Sequence, residues 1–139
     1  MGAPKGKRVG VDRRQAGAFL AKATEFLEAA NASALAGRRD AAMLDAIHAS
    51  ISAADAVACA LAGVRSTDPD HSRAAELLEE IGPKGEVASH ARQLRQLLAK
   101  KNAVEYESRP ARAAEVNDSL KRAERFVKWA RGVVAAAKL

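Results

Sequence analysis

Apolar residues recur at three- and four-residue steps through most of the chain, which is the spacing of helices that each bury one face. One stripe starts after Asp12 and ends before Gly37, and another starts after Asp40 and ends before Gly63. Because Asp favours helix starts and Gly favours helix ends, we expect two helices there, each about 30 Å long or more. Their apolar positions are Ala16, Leu20, Ala23, Leu27, Ala30 and Ala34, then Met43, Leu44, Ile47, Ile51, Ala54, Ala58 and Leu61.

Three further helices are expected after a loop at residues 66–70, in which Pro69 suits the first position of a short helix. Glycine and proline at 82–85 end that helix, and residues 108–110 separate a long fourth helix from a last one that begins near Ala113. Their apolar positions are Ala74, Leu77, Leu78 and Ile81, then Val87, Ala91, Leu94, Leu97, Leu98 and Val104, and finally Val116, Leu120, Ala123, Val127, Ala130 and Val134. No segment alternates as a strand does. The sequence therefore predicts an all-α fold, an up-and-down bundle of four long helices plus one short helix.

Composition favours one helical domain. Of 139 residues, 48% are hydrophobic but 4% are aromatic, and the many alanines favour closely packed helices over a sheet. We expect a flexible basic tail over residues 1–11 and a single domain over residues 12–139. Cys59 is the single cysteine, so it cannot form an internal disulfide, and we expect it to behave as a small buried hydrophobic residue. The lack of disulfides also leads us to expect a reducing cytoplasm as the location of the protein. No apolar run is expected to span a bilayer.

Charge is divided unevenly along the chain. Residues 92–139 carry twelve basic and five acidic residues, whereas residues 68–91 carry two basic and six acidic ones. A basic C-terminal third would suit a nucleic-acid groove or an acidic protein partner. The simpler alternative is a solvated basic face, because few aromatic residues are interleaved for base stacking.

The end of the fourth helix holds an unusual polar cluster. Lys101 falls on or beside the apolar stripe, Asn102 follows it directly, and Tyr106 follows about one and a half turns later. The simpler interpretation is that the lysine stem packs on the core while its ammonium reaches water. The alternative is a site formed by all three side chains.

Several segments, taken in order, resemble the HEPN superfamily, named for nucleotide binding in higher eukaryotes and prokaryotes. Residues 48–56 are similar to its second helix, residues 70–72 to the start of its third, and residues 126–130 to its closing helix. Residues 101–107 fall where its signature ends the fourth helix. The resemblance rests on the order and spacing of these matches and runs from about Ala16 to Val134.

The resemblance implies a metal-independent ribonuclease, commonly a toxin that acts as a symmetric dimer with two signatures at one cleft. The signature is Arg, often followed by Asn, then about four to six residues and His. His would move protons between the ribose 2′-hydroxyl and the leaving oxygen, Arg would stabilise charge on the phosphate, and Asn would position both. Here Lys101 stands for Arg, Asn102 is kept and Tyr106 stands for His. These three are the catalytic candidates, with no cofactor and no metal expected.

Both replacements weaken the case for catalysis. Lysine lacks the planar fork of arginine, and phenols, whose ordinary pKa is about 10, are poor bases near neutral pH. His90 lies more than about four helical turns before Tyr106. His48 and His71 belong to other helices, and folding could bring either to the signature, although a lone histidine is more often structural.

A shifted alignment is the other possibility for Tyr106. In some family members a partner nucleotidyltransferase attaches nucleotides to a tyrosine just beyond the catalytic His. If Tyr106 is that tyrosine, Ala99 and Val104 occupy the Arg and His positions, and the catalytic pair is absent.

Three functions therefore stay open. The favoured one is a catalytically weak or silent HEPN-like module that binds RNA, a nucleotide or a nucleotidyltransferase partner, as in toxin–antitoxin systems. The second is an endoribonuclease toxin that uses Lys101, Asn102 and Tyr106, and the third is a helical assembly scaffold with no nucleic-acid role. The first two imply a cytoplasmic homodimer without a membrane partner. Further side chains that could contact RNA or a partner are Arg92, Arg95, Lys100, Glu107 and Arg109.

Overall fold

The computed structural model describes residues 6–139, and within them five α-helices form the predicted bundle of four long helices and one short one. The all-α prediction is confirmed. The helices are α1 (Ala16–Leu35), α2 (Arg39–Ala62), α3 (Ser72–Ile81), α4 (Gly85–Tyr106) and α5 (Ala113–Ala136). The expectation of no strands is wrong, because β1 (Arg8–Gly10) pairs antiparallel with β2 (Val64–Ser66). A short 3-10 turn, Arg13–Gln15, leads into α1.

Helix α2 is the centre of the bundle and contacts α1, α3, α4 and α5. Its residues from Ala53 to Ala60 are buried on every side, as expected of a helix surrounded by others. By length and composition alone α2 is apolar enough to cross a bilayer, which the sequence analysis did not anticipate, but 67% of that stretch is buried inside the bundle. Its small side chains therefore serve close helix packing in the core.

The N-terminal segment, in its described part (residues 6–11), is attached to the bundle by hydrogen bonds. The Thr67 amide donates to the Lys7 carbonyl at 2.9 Å, and the Lys7 amide donates to a carboxylate oxygen of Asp68 at 3.0 Å. The Val11 amide donates to the carbonyl of Gly63, which ends α2 in a left-handed conformation (φ 62°). Residues 1–5 lie outside the described residues. The segment thus fixes the start of the loop that leads to α3.

A buried carboxylate ties β2 to the central helix. Asp55 of α2 is 8% exposed, and the Arg65 guanidinium lies 3.6 Å from its Oδ2. The same guanidinium lies 5.0 Å from the ring centroid of Phe19 in α1. Burial raises the pKa of Asp55 to about 6, against the lowering effect of Arg65 and Lys22. The folded protein therefore holds this carboxylate at a cost in solvation.

We predict that Asp55 makes folding stability fall as pH rises. Its pKa is higher in the folded protein than the ordinary 3.8, so the folded state binds more protons between about pH 4 and pH 6. Over that window the wild type should lose on the order of 2 kcal/mol relative to Asp55→Asn, measured by urea unfolding at several pH values. A difference between the two proteins that does not change with pH would contradict the prediction.

Helices α3 and α4 form an antiparallel hairpin with a very tight turn. A Cβ added at Gly82 would lie 2.5 Å from the Cβ of Val87, closer than side-chain carbons can approach. Along the hairpin, the guanidinium of Arg95 in α4 binds Glu79 in α3, with Nη2 to Oε2 at 3.1 Å. This register brings the start of α3 beside the last turns of α4.

Replacing Gly82 by Ala should therefore open the turn and destabilise the protein by about 1–3 kcal/mol, the usual cost of overpacking. Urea unfolding measures the loss. Gly132→Ala in α5 is the matched control, because nothing lies within 4 Å of a Cβ at that position and alanine favours the helix. Equal effects of the two substitutions would contradict the tight packing of the turn.

Candidate functional site

The polar end of α4 faces the start of α3 across an open crevice with a volume of about 440 Å³. All three catalytic candidates from the sequence line it: Lys101, Asn102 and Tyr106. We call this site the α3–α4 crevice. Its other lining residues are Pro69, Asp70, His71, Ser72, Arg95, Leu98, Ala99 and Glu105.

Two aspartates fold the loop that carries His71 into the crevice wall. An oxygen of Asp68 accepts the Asp70 amide at 2.9 Å. An oxygen of Asp70 then accepts both the amide and the hydroxyl of Ser72, at 3.0 and 2.7 Å, and these bonds hold the pKa of Asp70 below its usual range. Such bonds from an aspartate to the amide two residues later are Asx turns, which hold a loop in one conformation. His71, the N-cap residue of α3, is thereby fixed immediately before the helix begins at Ser72.

Lys101 combines the packing role and the polar role considered from the sequence. Its side chain is 19% exposed, so its stem lies against the bundle. Its ammonium lies 2.7 Å from Oε1 of Glu105, one turn later on α4. The crevice therefore holds an ammonium that already has a carboxylate partner within the same helix.

His71 is the functional candidate that sequence reasoning did not select. The half-buried imidazole has a lowered pKa, first because of burial and then because of the positive charge of Lys101 and the neighbouring His48. Asp70 and Glu105 act in the opposite direction without reversing the shift. The imidazole of His71 and the ammonium of Lys101 thus line the same open crevice, and the charge of Lys101 favours the neutral form of the imidazole.

The other two histidines have packing partners. The His48 ring centroid lies 5.5 Å from that of Phe26 and 6.4 Å from that of His71. His90 stacks on Trp129 with ring centroids 4.0 Å apart, and its Nδ1 bonds to the Glu86 carbonyl at 2.7 Å. Neither ring lines the α3–α4 crevice.

Tyr106 and Asn102 are the accessible parts of the crevice. Tyr106 is 81% exposed at the last residue of α4, and Asn102 is also exposed. An exposed aromatic ring offers a flat surface for stacking, and an amide can both donate and accept hydrogen bonds. Together they offer contacts that are suited to a planar, polar ligand.

The other predicted contact residues divide between two surfaces. Arg95 lines the α3–α4 crevice but is bound to Glu79. Lys100, Glu107 and Arg109 lie instead around a small groove that faces Ala111 and Glu115. The ammonium of Lys100 binds Asp118 of α5 at 2.7 Å, and Arg109 binds Glu115 at 2.8 Å. Arg92 is exposed on α4, outside the crevice lining.

Among the described residues, no group of three or more His, Cys, Asp and Glu side chains is placed to hold a metal ion.

Residues 16–133, which make up most of the chain, match the family model of the HEPN domain. The chain belongs to the HEPN domain family. Membership associates this HEPN protein in general terms with nucleotides or RNA. No curated protein and no solved structure matches the chain significantly.

The electrostatic effect of Lys101 on His71 can be tested without a ligand. In Lys101→Met, His71 loses its positive neighbour and Glu105 loses its partner, so the pKa of His71 should rise toward its ordinary value. NMR titration of the imidazole measures the shift. Lys100→Met is the matched control, because Lys100 binds Asp118 and lines a different groove. Equal shifts in both variants, or none in Lys101→Met, would contradict the placement of these groups.

Proposed function

We propose that this HEPN protein binds single-stranded RNA or a nucleotide in the α3–α4 crevice. Lys101 would take a phosphate, Tyr106 would stack on a base, and Asn102 would hydrogen-bond to the edge of that base. The carrying observation is that these three unlike groups line one open crevice. Stacking surfaces combined with a cationic group are the usual means of binding unpaired bases.

The balance of charges favours a short, specific contact over an extended basic groove. Lys101 and Arg95 are countered by Asp70 and Glu105 within the crevice lining. Elsewhere in the basic C-terminal third, Arg122 binds Asp118, which also holds Lys100. A phosphate would therefore displace the carboxylate of Glu105 from the ammonium of Lys101. Stacking on Tyr106 is expected to supply about 1–3 kcal/mol per base.

The proposal includes a homodimer in which two crevices share one strand. The resemblance to dimeric family members supports this arrangement, and so does the exposure of Tyr106 at the end of α4. A nucleotidyltransferase partner would use the same exposed tyrosine.

Binding of a labelled single-stranded RNA, followed by fluorescence anisotropy, tests the proposal. Lys101→Ala and Tyr106→Ala should each weaken binding, the second by about five- to a hundredfold through loss of stacking. Tyr106→Phe keeps the ring and should bind nearly as well as the wild type. Glu105→Gln should tighten binding, because it releases the ammonium of Lys101. The same titration gives the number of chains per strand.

Lys100→Ala is the matched control for charge, since Lys100 differs from Lys101 by one position and faces α5. Each phosphate contact should contribute a salt slope of about −0.7 for a single strand. Equal losses in Lys100→Ala and Lys101→Ala, or a slope that corresponds to many phosphates, would place binding on the general basic surface and overturn the proposal.

A further inference from the structure

We propose that His71 is a catalytic residue of the α3–α4 crevice and accepts the proton of a ribose 2′-hydroxyl when RNA is cleaved there. The inference rests on the proposed function, since it needs an RNA phosphate at Lys101. It assigns the proton-transfer role to a residue outside the polar cluster of α4, at the N-cap of α3.

The surroundings of His71 suit a general base. The imidazole lines the crevice, and burial together with Lys101 and His48 favours its neutral form. Only the neutral form has a free ring nitrogen to accept a proton. Asp70 and Glu105, which face it with opposite charge, would stabilise the imidazolium that forms. The charged and titratable groups that act on His71 are therefore Asp70 beside it, Lys101 and Glu105 in α4, and His48 in α2.

The other crevice groups are less suited to accept the proton. Glu105 already accepts the Lys101 ammonium at 2.7 Å, and Asp70 accepts two bonds from Ser72. The phenol of Tyr106 has a hydroxyl proton to donate, and the ammonium of Lys101 has donors for phosphate oxygens. Tyr106 and Lys101 therefore fit the roles of proton donor and phosphate ligand.

The reaction that these groups support is an internal transfer of the phosphoryl group. The proton of the 2′-hydroxyl passes to His71, the 2′-oxygen forms a bond to phosphorus, and the bond from phosphorus to the 5′-oxygen breaks. The 5′-oxygen takes the phenolic proton of Tyr106, and Lys101 stabilises the charge on the phosphate oxygens. The products are a 2′,3′-cyclic phosphate and a 5′-hydroxyl. Solvent returns the proton to Tyr106 and removes the one on His71.

A DNA oligonucleotide with one ribonucleotide separates binding from cleavage. We expect the wild-type protein to cut it only at the ribonucleotide and to leave a cyclic phosphate, identified by mass spectrometry. His71→Ala should cut about a hundredfold or more slowly, the usual contribution of a general base, and added imidazole should restore part of the rate. Its affinity for the all-DNA oligonucleotide should stay close to that of the wild type. Tyr106→Phe should also slow the cut without loss of affinity.

His90→Ala is the matched control, because it removes a histidine from α4 that lies outside the crevice and should leave the cleavage rate unchanged. If His71→Ala does not fold, His71→Gln replaces it, and the wild-type pH profile gives a second measure. Its rate should rise with pH as the imidazole loses its proton and then level off.

The possible outcomes separate the two proposals. Absence of binding to any oligonucleotide would overturn the proposed function. Binding without cleavage, or cleavage that is unchanged in the folded His71 variants, would overturn this inference alone. An unchanged rate in Tyr106→Phe would overturn the assignment of the proton donor.

Discussion

The antiparallel contact between α3 and α4 is the constraint on which the site depends. The turn at Gly82 leaves no room for a side chain, so the two helices must run back along each other. The Arg95–Glu79 pair joins them, and both helices pack on α2, whose buried side chains are mostly small. As a result the first turn of α3 and the last turns of α4 end at one crevice, although the residues that meet there lie about thirty positions apart in sequence.

Pairing within the chain reduces the effect of the basic C-terminal third. Net charge suggested a broad nucleic-acid surface, yet Lys100, Arg109 and Arg122 each bind a carboxylate of the same chain. Exposed pairs of this kind contribute about 1 kcal/mol or less to stability. The three cations share two carboxylates, Asp118 and Glu115, so pairing offsets only part of the positive charge of this third of the chain. The proposed function rests instead on the few groups that share the α3–α4 crevice.

The sequence was a good guide to the helices and a poor guide to what they bring together. The apolar stripe of α2 and the closing Gly63 predicted both ends of that helix closely, because periodicity and capping are local properties. The strand Arg8–Gly10 could not be recognised, since three residues show no alternation. The sequence offered His71 only as one of two histidines outside α4 that folding could bring to the signature. Its position in the same crevice as Lys101 could not be predicted, because that position depends on the register of the α3–α4 hairpin. No spacing within α4 encodes that register.

The two unusual residues of the signature are easier to understand once His71 is counted with them. A signature with tyrosine in place of histidine has no neutral base of its own. An imidazole at the start of α3 can supply that base, and it needs a neighbour that disfavours its charged form. The positive charge of Lys101 disfavours the charged form of His71, and Glu105 partly offsets that effect. An arginine at position 101 would bind a phosphate with a fork of donors, whereas lysine offers a single compact charge. Under the proposal, that one charge serves both the phosphate and the imidazole, so binding and proton transfer are coupled through the same ammonium.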